Sequence, residues 1–289
     1  MNLWVPMALT LSLALQPGKN FPANWTTPIE PFKIVGNIYY VGTEDLASYL
    51  ITTPAGSVLI ETGVEPNVDL VARNIASLGF KVTDVKYLLT TQAHFDHVGG
   101  HARLKQSSGA QVIVSEADAP VVEGGGRGDY HFGPDFYFTP VHVDRRIQDG
   151  DMVRLGGTVL TAHLTPGHTK GCTTWTMEVK DANGTTLHVV FAGSTTVNEG
   201  VQLVNNGKYP QIADDYRHAF AVLNQLPGDV FLPAHASQFA DFPAKAEGAR
   251  RGARPNPFID PGALHSFLRS SQQAFDTKLA AQQKSSSRR

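Results

Sequence analysis

Residues 90–100 read Thr-Thr-Gln-Ala-His-Phe-Asp-His-Val-Gly-Gly. Gln92, His94, Asp96 and His97 put four side chains able to bind a metal on one short stretch. Imidazole nitrogen beside carboxylate oxygen is the donor mix that suits Zn²⁺. Gln92 offers only a neutral amide oxygen, a poorer zinc ligand than imidazole. Gly99 and Gly100 remove side-chain bulk where the chain must turn sharply. Two further histidines have suitable settings: His168 in Pro-Gly-His-Thr and His235 in Pro-Ala-His-Ala. Alone, either would more often be structural. Taken together, Gln92, His94, Asp96, His97, His168 and His235 are the candidate metal ligands. Hydrolysis by an activated water is the chemistry such a set would support.

These residues need strands that end near one another. The apolar run 85–89 reads as a buried strand entering the motif, and 98–106 reads as a helix leaving it. Before it, 32–41, 48–52 and 57–60 read as three strands of a meander. A helix is expected through Val68, Val71, Ile75 and Leu78, capped by Asn67 and stopped by Gly79. Another strand at 111–114 is followed by a helix over 115–123 with Ser115 as its cap. Residues 147–164 hold two strands around Gly156-Gly157. Strands 173–180 and 185–191 are joined by Asp-Ala-Asn-Gly, a hairpin signal. A helix over 212–226, a strand that turns to reach His235 over 229–235 and a closing helix over 262–283 complete the pattern. Each candidate ligand lies near the C-terminal end of an expected strand, the edge where open α/β sheets gather ligands. The pattern itself gives α/β and no more.

The segment 124–145 opens on Gly-Gly-Gly-Arg-Gly and is long for a loop inside a domain. Tyr130, Phe132, Phe136, Tyr137 and Phe138 make it too aromatic for plain disorder. Its functional reading is a wall over a pocket; the plain alternative is a loop packed on the core. His101, His131, His142, His163, His188 and His218 read as structural or solvated, and Cys172 as a packing residue.

Composition narrows the function classes. The 289 residues are 42% hydrophobic and 17% charged, with net charge −2, which suits a globular α/β chain and shows no nucleic-acid footprint. One cysteine allows no internal disulfide, so cysteine usage does not reveal the compartment. Residues 1–15 are apolar and uncharged, too short to span a membrane comfortably, with Ser12-Leu13-Ala14 suiting a signal peptidase. The expectation is a signal peptide over 1–18, one domain over 19–289, a periplasmic or secreted monomer, and no stable membrane association.

The motif resembles the H-x-H-x-D-H signature of the metallo-β-lactamase superfamily, with Gln92 in place of the first histidine. Val41-Gly42-Thr43-Glu44-Asp45-Leu46, Thr165-Pro166-Gly167-His168-Thr169, Phe191-Ala192-Gly193-Ser194 and Asp214-Asp215-Tyr216-Arg217 extend the likeness to the third subclass, B3. The resemblance implies a four-layer αββα sandwich. It implies one or two zinc ions: a first site of Gln92, His94 and His168, and a tighter second site of Asp96, His97 and His235. Its activity would be hydrolysis of the β-lactam amide of penicillins, cephalosporins and carbapenems by metal-bound hydroxide, with Asp96 as the catalytic residue that holds the nucleophile in line, conferring antibiotic resistance. Ser194 stands where sister subclasses have a ligating cysteine and lactonases or thioesterases have a bridging aspartate. Ser194 and Thr196 resemble positions that bind the substrate carboxylate, while Tyr130, Phe136 and Tyr137 would cover the substrate. The alternative is another hydrolase of the superfamily, a lactonase or thioesterase.

Overall fold

A computed structural model describes residues 21–287; the expected signal peptide over 1–18 lies outside the described residues. Two sheets face each other. The first has seven strands in sequential order: β1 (Phe32–Val35), β2 (Ile38–Tyr40), β3 (Tyr49–Thr53), β4 (Gly56–Ile60), β5 (Val85–Leu89), β6 (Gln111–Ser115) and β7 (Arg145–Ile147). β1 to β4 run antiparallel, and β4 to β7 run parallel. The second sheet is ordered β12-β11-β10-β9-β8, from β8 (Met152–Leu155), β9 (Thr158–Leu164), β10 (Thr173–Lys180), β11 (Thr186–Ala192) and β12 (Val230–Pro233). Of its pairs, only β11 with β12 is parallel.

Burial follows the strand period of two. In β10, Trp175, Met177 and Val179 face inward, and Glu178 and Lys180 face solvent. They meet Ile34, Tyr49 and Leu89 of the first sheet in the central core. Outside the first sheet lie α1 (Val68–Ser77), α3 (His101–Ser108) and α4 (Ala119–Glu123), on Leu59, Val85 and Val112. Outside the second lie α5 (Ile212–Leu223) and α7 (Ala263–Ser286), on Val190 and Phe231. This is the expected αββα sandwich. No helix among the described residues is long and apolar enough to cross a membrane.

Local details depart from the sequence reading, each for a visible reason. The run 32–41 is two strands, because Gly36 turns the chain at φ 55°. The helix after the motif starts earlier, as α2 (Phe95–Val98), and breaks at Gly99-Gly100 before α3. Asn67 does not cap α1; its amide donates to the Trp25 carbonyl at 2.9 Å. Ser115 ends β6 and donates to Gly171 O at 2.6 Å, so α4 begins only at Ala119. The strand β7 and the helix α6 (Phe242–Arg250) were not expected. In α6, Pro243 and Gly248 blur the helical pattern, yet Asp241 caps it by accepting from Ala244 N at 3.1 Å.

Candidate metal centre

The ends of β4, β5, β9, β11 and β12 gather at one rim of the sandwich, and cross-sheet bonds pin that rim. Trp175 Nε1 donates to Thr90 O at 2.9 Å, Thr173 N to Thr91 O at 2.7 Å, and Tyr49 OH to Pro233 O at 2.6 Å. Asp118 ties two of the turns together. Its carboxylate accepts from Ala93 N (3.0 Å) in the motif, and from Thr169 Oγ1 (2.6 Å) and Gly171 N (2.8 Å) beside His168.

Asp96, His97 and His235 come together with their donor atoms all within 4.8 Å of one another. Asp96 Oδ2 lies 3.3 Å from His97 Nε2 and 3.4 Å from His235 Nε2. Two ligands held at zinc's usual bond length of about 2.1 Å in a tetrahedron stand roughly 3.4 Å apart. His97 Nε2 is buried and lacks a hydrogen-bond partner, a state that costs free energy unless something fills it. The residues therefore fit a zinc ion. Burial alone would raise the Asp96 pKa, but His97 and His235 hold it well below the usual carboxylate range. The carboxylate is thus charged and ready to bind a cation. His94 and His168 form a second cluster, with His94 Nδ1 3.1 Å from His168 Nε2. Gln92 is buried in the same rim, and its Oε1 accepts from Ser194 N at 3.2 Å.

The outward nitrogens of these histidines meet acceptors. His235 Nδ1 donates to Asp45 Oδ2 at 3.0 Å, and His168 Nδ1 to Thr196 O at 2.6 Å. His97 Nδ1 faces Glu61 Oε2 at 3.3 Å. Since these acceptors cannot donate, the outer nitrogens carry protons, which leaves the inner ones as the positions a bound zinc would take in place of a proton. Burial would raise the Asp45 pKa, but donors from His235 and Ser237 hold it at about 2. Glu61 also takes Thr91 N at 2.7 Å, from a backbone with φ 65°. A non-glycine residue tolerates that conformation only where its surroundings enforce it.

The expected wall is assembled from more of the chain than the loop alone. Phe136 packs on Phe95 with ring centroids 4.9 Å apart and on Phe132 at 4.8 Å, and Phe132 lies 4.7 Å from the His94 ring. Phe21 and Trp25 extend the wall over Phe95, and Trp25 reaches the His235 ring at 5.8 Å. Tyr130, expected to cover the substrate, instead sits buried behind the His168 turn and donates to His168 O at 3.1 Å. Tyr137 lies under the Arg127 guanidinium. Ser194 is buried, with Oγ accepting from Thr196 N at 3.2 Å, and the Thr196 side chain is exposed. Cys172 is buried, its thiol directed at Ser194 O. The sequence reading missed Asp45, Glu61, Asp118 and Trp25. Only Asp45 sat in a motif it had quoted.

The family model of the metallo-β-lactamase superfamily matches residues 42–235, a span that contains all six candidate metal ligands. The chain belongs to that superfamily. Among solved structures it is similar to the FEZ-1 metallo-β-lactamase of Legionella gormanii. Identity there is 46% over 91% of this chain and 99% of that one, with a TM-score of 0.87. It is also similar to BJP-1, a subclass B3 metallo-β-lactamase of Bradyrhizobium japonicum. There the identity is 44% over 91% and 98%, with a TM-score of 0.85. Among curated proteins it matches a hydroxyacylglutathione hydrolase of Bradyrhizobium sp. at 31% identity over 194 residues, 65% of this chain. The match spans 61% of that hydrolase's length.

Proposed function

We propose that this chain is a zinc-dependent β-lactamase of the third metallo subclass, with glutamine at the first ligand position. The observation that carries this reading is the near end-to-end likeness to two β-lactamases at 44–46% identity. The thioesterase likeness is weaker and covers only part of those enzymes. Ser194 adds to it. The slot that would hold a bridging aspartate in a thioesterase carries a hydroxyl tied to Thr196 N.

Asp96, His97 and His235 would hold one zinc, and His94, His168 and Gln92 a second, weaker one. Bound there, zinc supplies Lewis acidity and lowers the pKa of its water to about 7. Asp96 orients the attacking water through its ionised carboxylate. Water adds to the lactam carbonyl carbon, the C–N bond breaks, and the ring nitrogen takes up a proton. Ser194 Oγ already accepts from Thr196 N, so its own O–H is left to donate to the substrate carboxylate. Phe132, Phe136 and Trp25 exclude bulk water, which strengthens each of these polar contacts.

Turnover of a chromogenic cephalosporin, measured beside lactone and glutathione-thioester panels, tests the assignment. The expected result is cephalosporin turnover well above both panels. A thioester or lactone preference would replace the reading with the alternative hydrolase.

A further inference from the structure

The two metal positions are unequal in charge. The second has Asp96 as a ligand and Glu61 and Asp45 behind His97 and His235. The first, read as Gln92, His94 and His168, has no charged ligand. The Gln92 oxygen is already shared with Ser194 N. One carboxylate does reach this position, and it comes from the long loop. Asp129 Oδ2 lies 3.3 Å from His94 Nε2, with both side chains at most 5% exposed. It is close enough for an ion pair but is not aligned as a hydrogen bond, and Nε2 has no other partner. The other Asp129 oxygen is committed, accepting from His131 N and Phe132 N at 2.7 Å each. That turn fixes the carboxylate and leaves Oδ2 aimed at the ring. Phe132 closes the same side of His94 at 4.7 Å.

We propose that Asp129 is a positioning residue for the first metal position. Its Oδ2 keeps the proton on His94 Nε2, turns Nδ1 inward beside His168, and supplies the negative charge that Gln92 does not. The proposal rests on the zinc reading above but not on any substrate. A carboxylate behind a ligating histidine raises its basicity and fixes its ring, and losing one typically costs tenfold to a hundredfold in metal affinity.

Asp129→Asn separates this role from loop building. It keeps Oδ1 for the turn and replaces Oδ2 with an NH₂ that cannot accept. The test is zinc titration of the metal-free full chain against a chromophoric chelator, with thermal melting alongside. The expected result is a weaker zinc step loosened tenfold to a hundredfold, a tighter step within twofold of wild type, and an unchanged melting temperature without metal. Gln92→His should tighten that same weaker step at least tenfold, which assigns it to the first position. Should the asparagine variant fold poorly, Asp129→Ser keeps a turn acceptor, lacks Oδ2, and should show the same loosening. The proposal is overturned by both steps unchanged, by equal loosening of both, or by a single zinc step insensitive to Asp129. A chain that binds no zinc would overturn the metal reading as well. Zinc binding that ignores Asp129 would overturn the inference alone.

Discussion

At the scale of single residues, the proposed chemistry would rest on the second position, Asp96, His97 and His235. Asp96→Asn keeps the size but loses the charge that faces His97 and His235 at 3.3 and 3.4 Å. His235→Ala removes a donor and one of the hydrogen bonds to the buried Asp45, which keeps those from Ser237 N and Trp25 Nε1. Steady-state kinetics at saturating zinc should show kcat/KM lower by at least roughly a hundredfold in each, the scale of losing a catalytic group. Near-normal values in both would place the chemistry elsewhere. The ligand candidates were legible because their types and spacing are local: three of the six fall within 94–97. Their supports were not. Glu61, Asp118 and Asp129 lie far along the chain from the histidines they serve or neighbour, and nothing local sets them apart from solvated carboxylates. Tyr130 misled for the same reason. An aromatic residue in a loop carries no sign of whether it faces a pocket or, as here, props up a histidine turn.

Among the elements, the break between α2 and α3 aims the motif. Gly99 has ordinary helical φ and ψ, so its glycine answers to space and not to conformation. A Cβ there would stand 2.4 Å from Phe95 O and 3.0 Å from Glu65 N. Gly99→Ala should destabilise the metal-free protein by about 1–3 kcal/mol, the usual cost of overpacking. Gly133→Ala is a fitting comparison, since its Cβ would meet nothing within 4 Å. Thermal melts of the two variants and wild type check this, and an unchanged melting temperature in Gly99→Ala would show that the turn has slack. The central strand β5 and the hairpin of β10 and β11 were readable from apolar runs and Asn-Gly. The single strand expected over 32–41 and the missed α6 show where that reading ends. Gly36 splits the first, and α6 is held by Asp241 and by burial of Phe242 and Ala246 against the central core.

For the whole molecule, the sandwich brings both sheets' strand ends to one rim and closes an aromatic wall over it. Neither sheet holds a complete ligand set. The first contributes Gln92, His94, Asp96 and His97, and the second contributes His168 and His235. Packing of the two sheets through Trp175, Phe191 and Leu89 is therefore what makes the site. Periodicity along the chain could show only α/β, because the facing of two sheets is set by residues distant in sequence. The claim that this rim is a zinc hydrolase site for β-lactams meets its most direct test in one assay. Hydrolysis of a chromogenic cephalosporin is followed through exhaustive chelation and zinc return, with a serine-acylating β-lactamase inhibitor in a parallel cuvette. Activity should vanish with the metal and return with zinc, and the inhibitor should leave the rate unchanged. Hydrolysis that survives chelation, or that the inhibitor abolishes, would contradict the account.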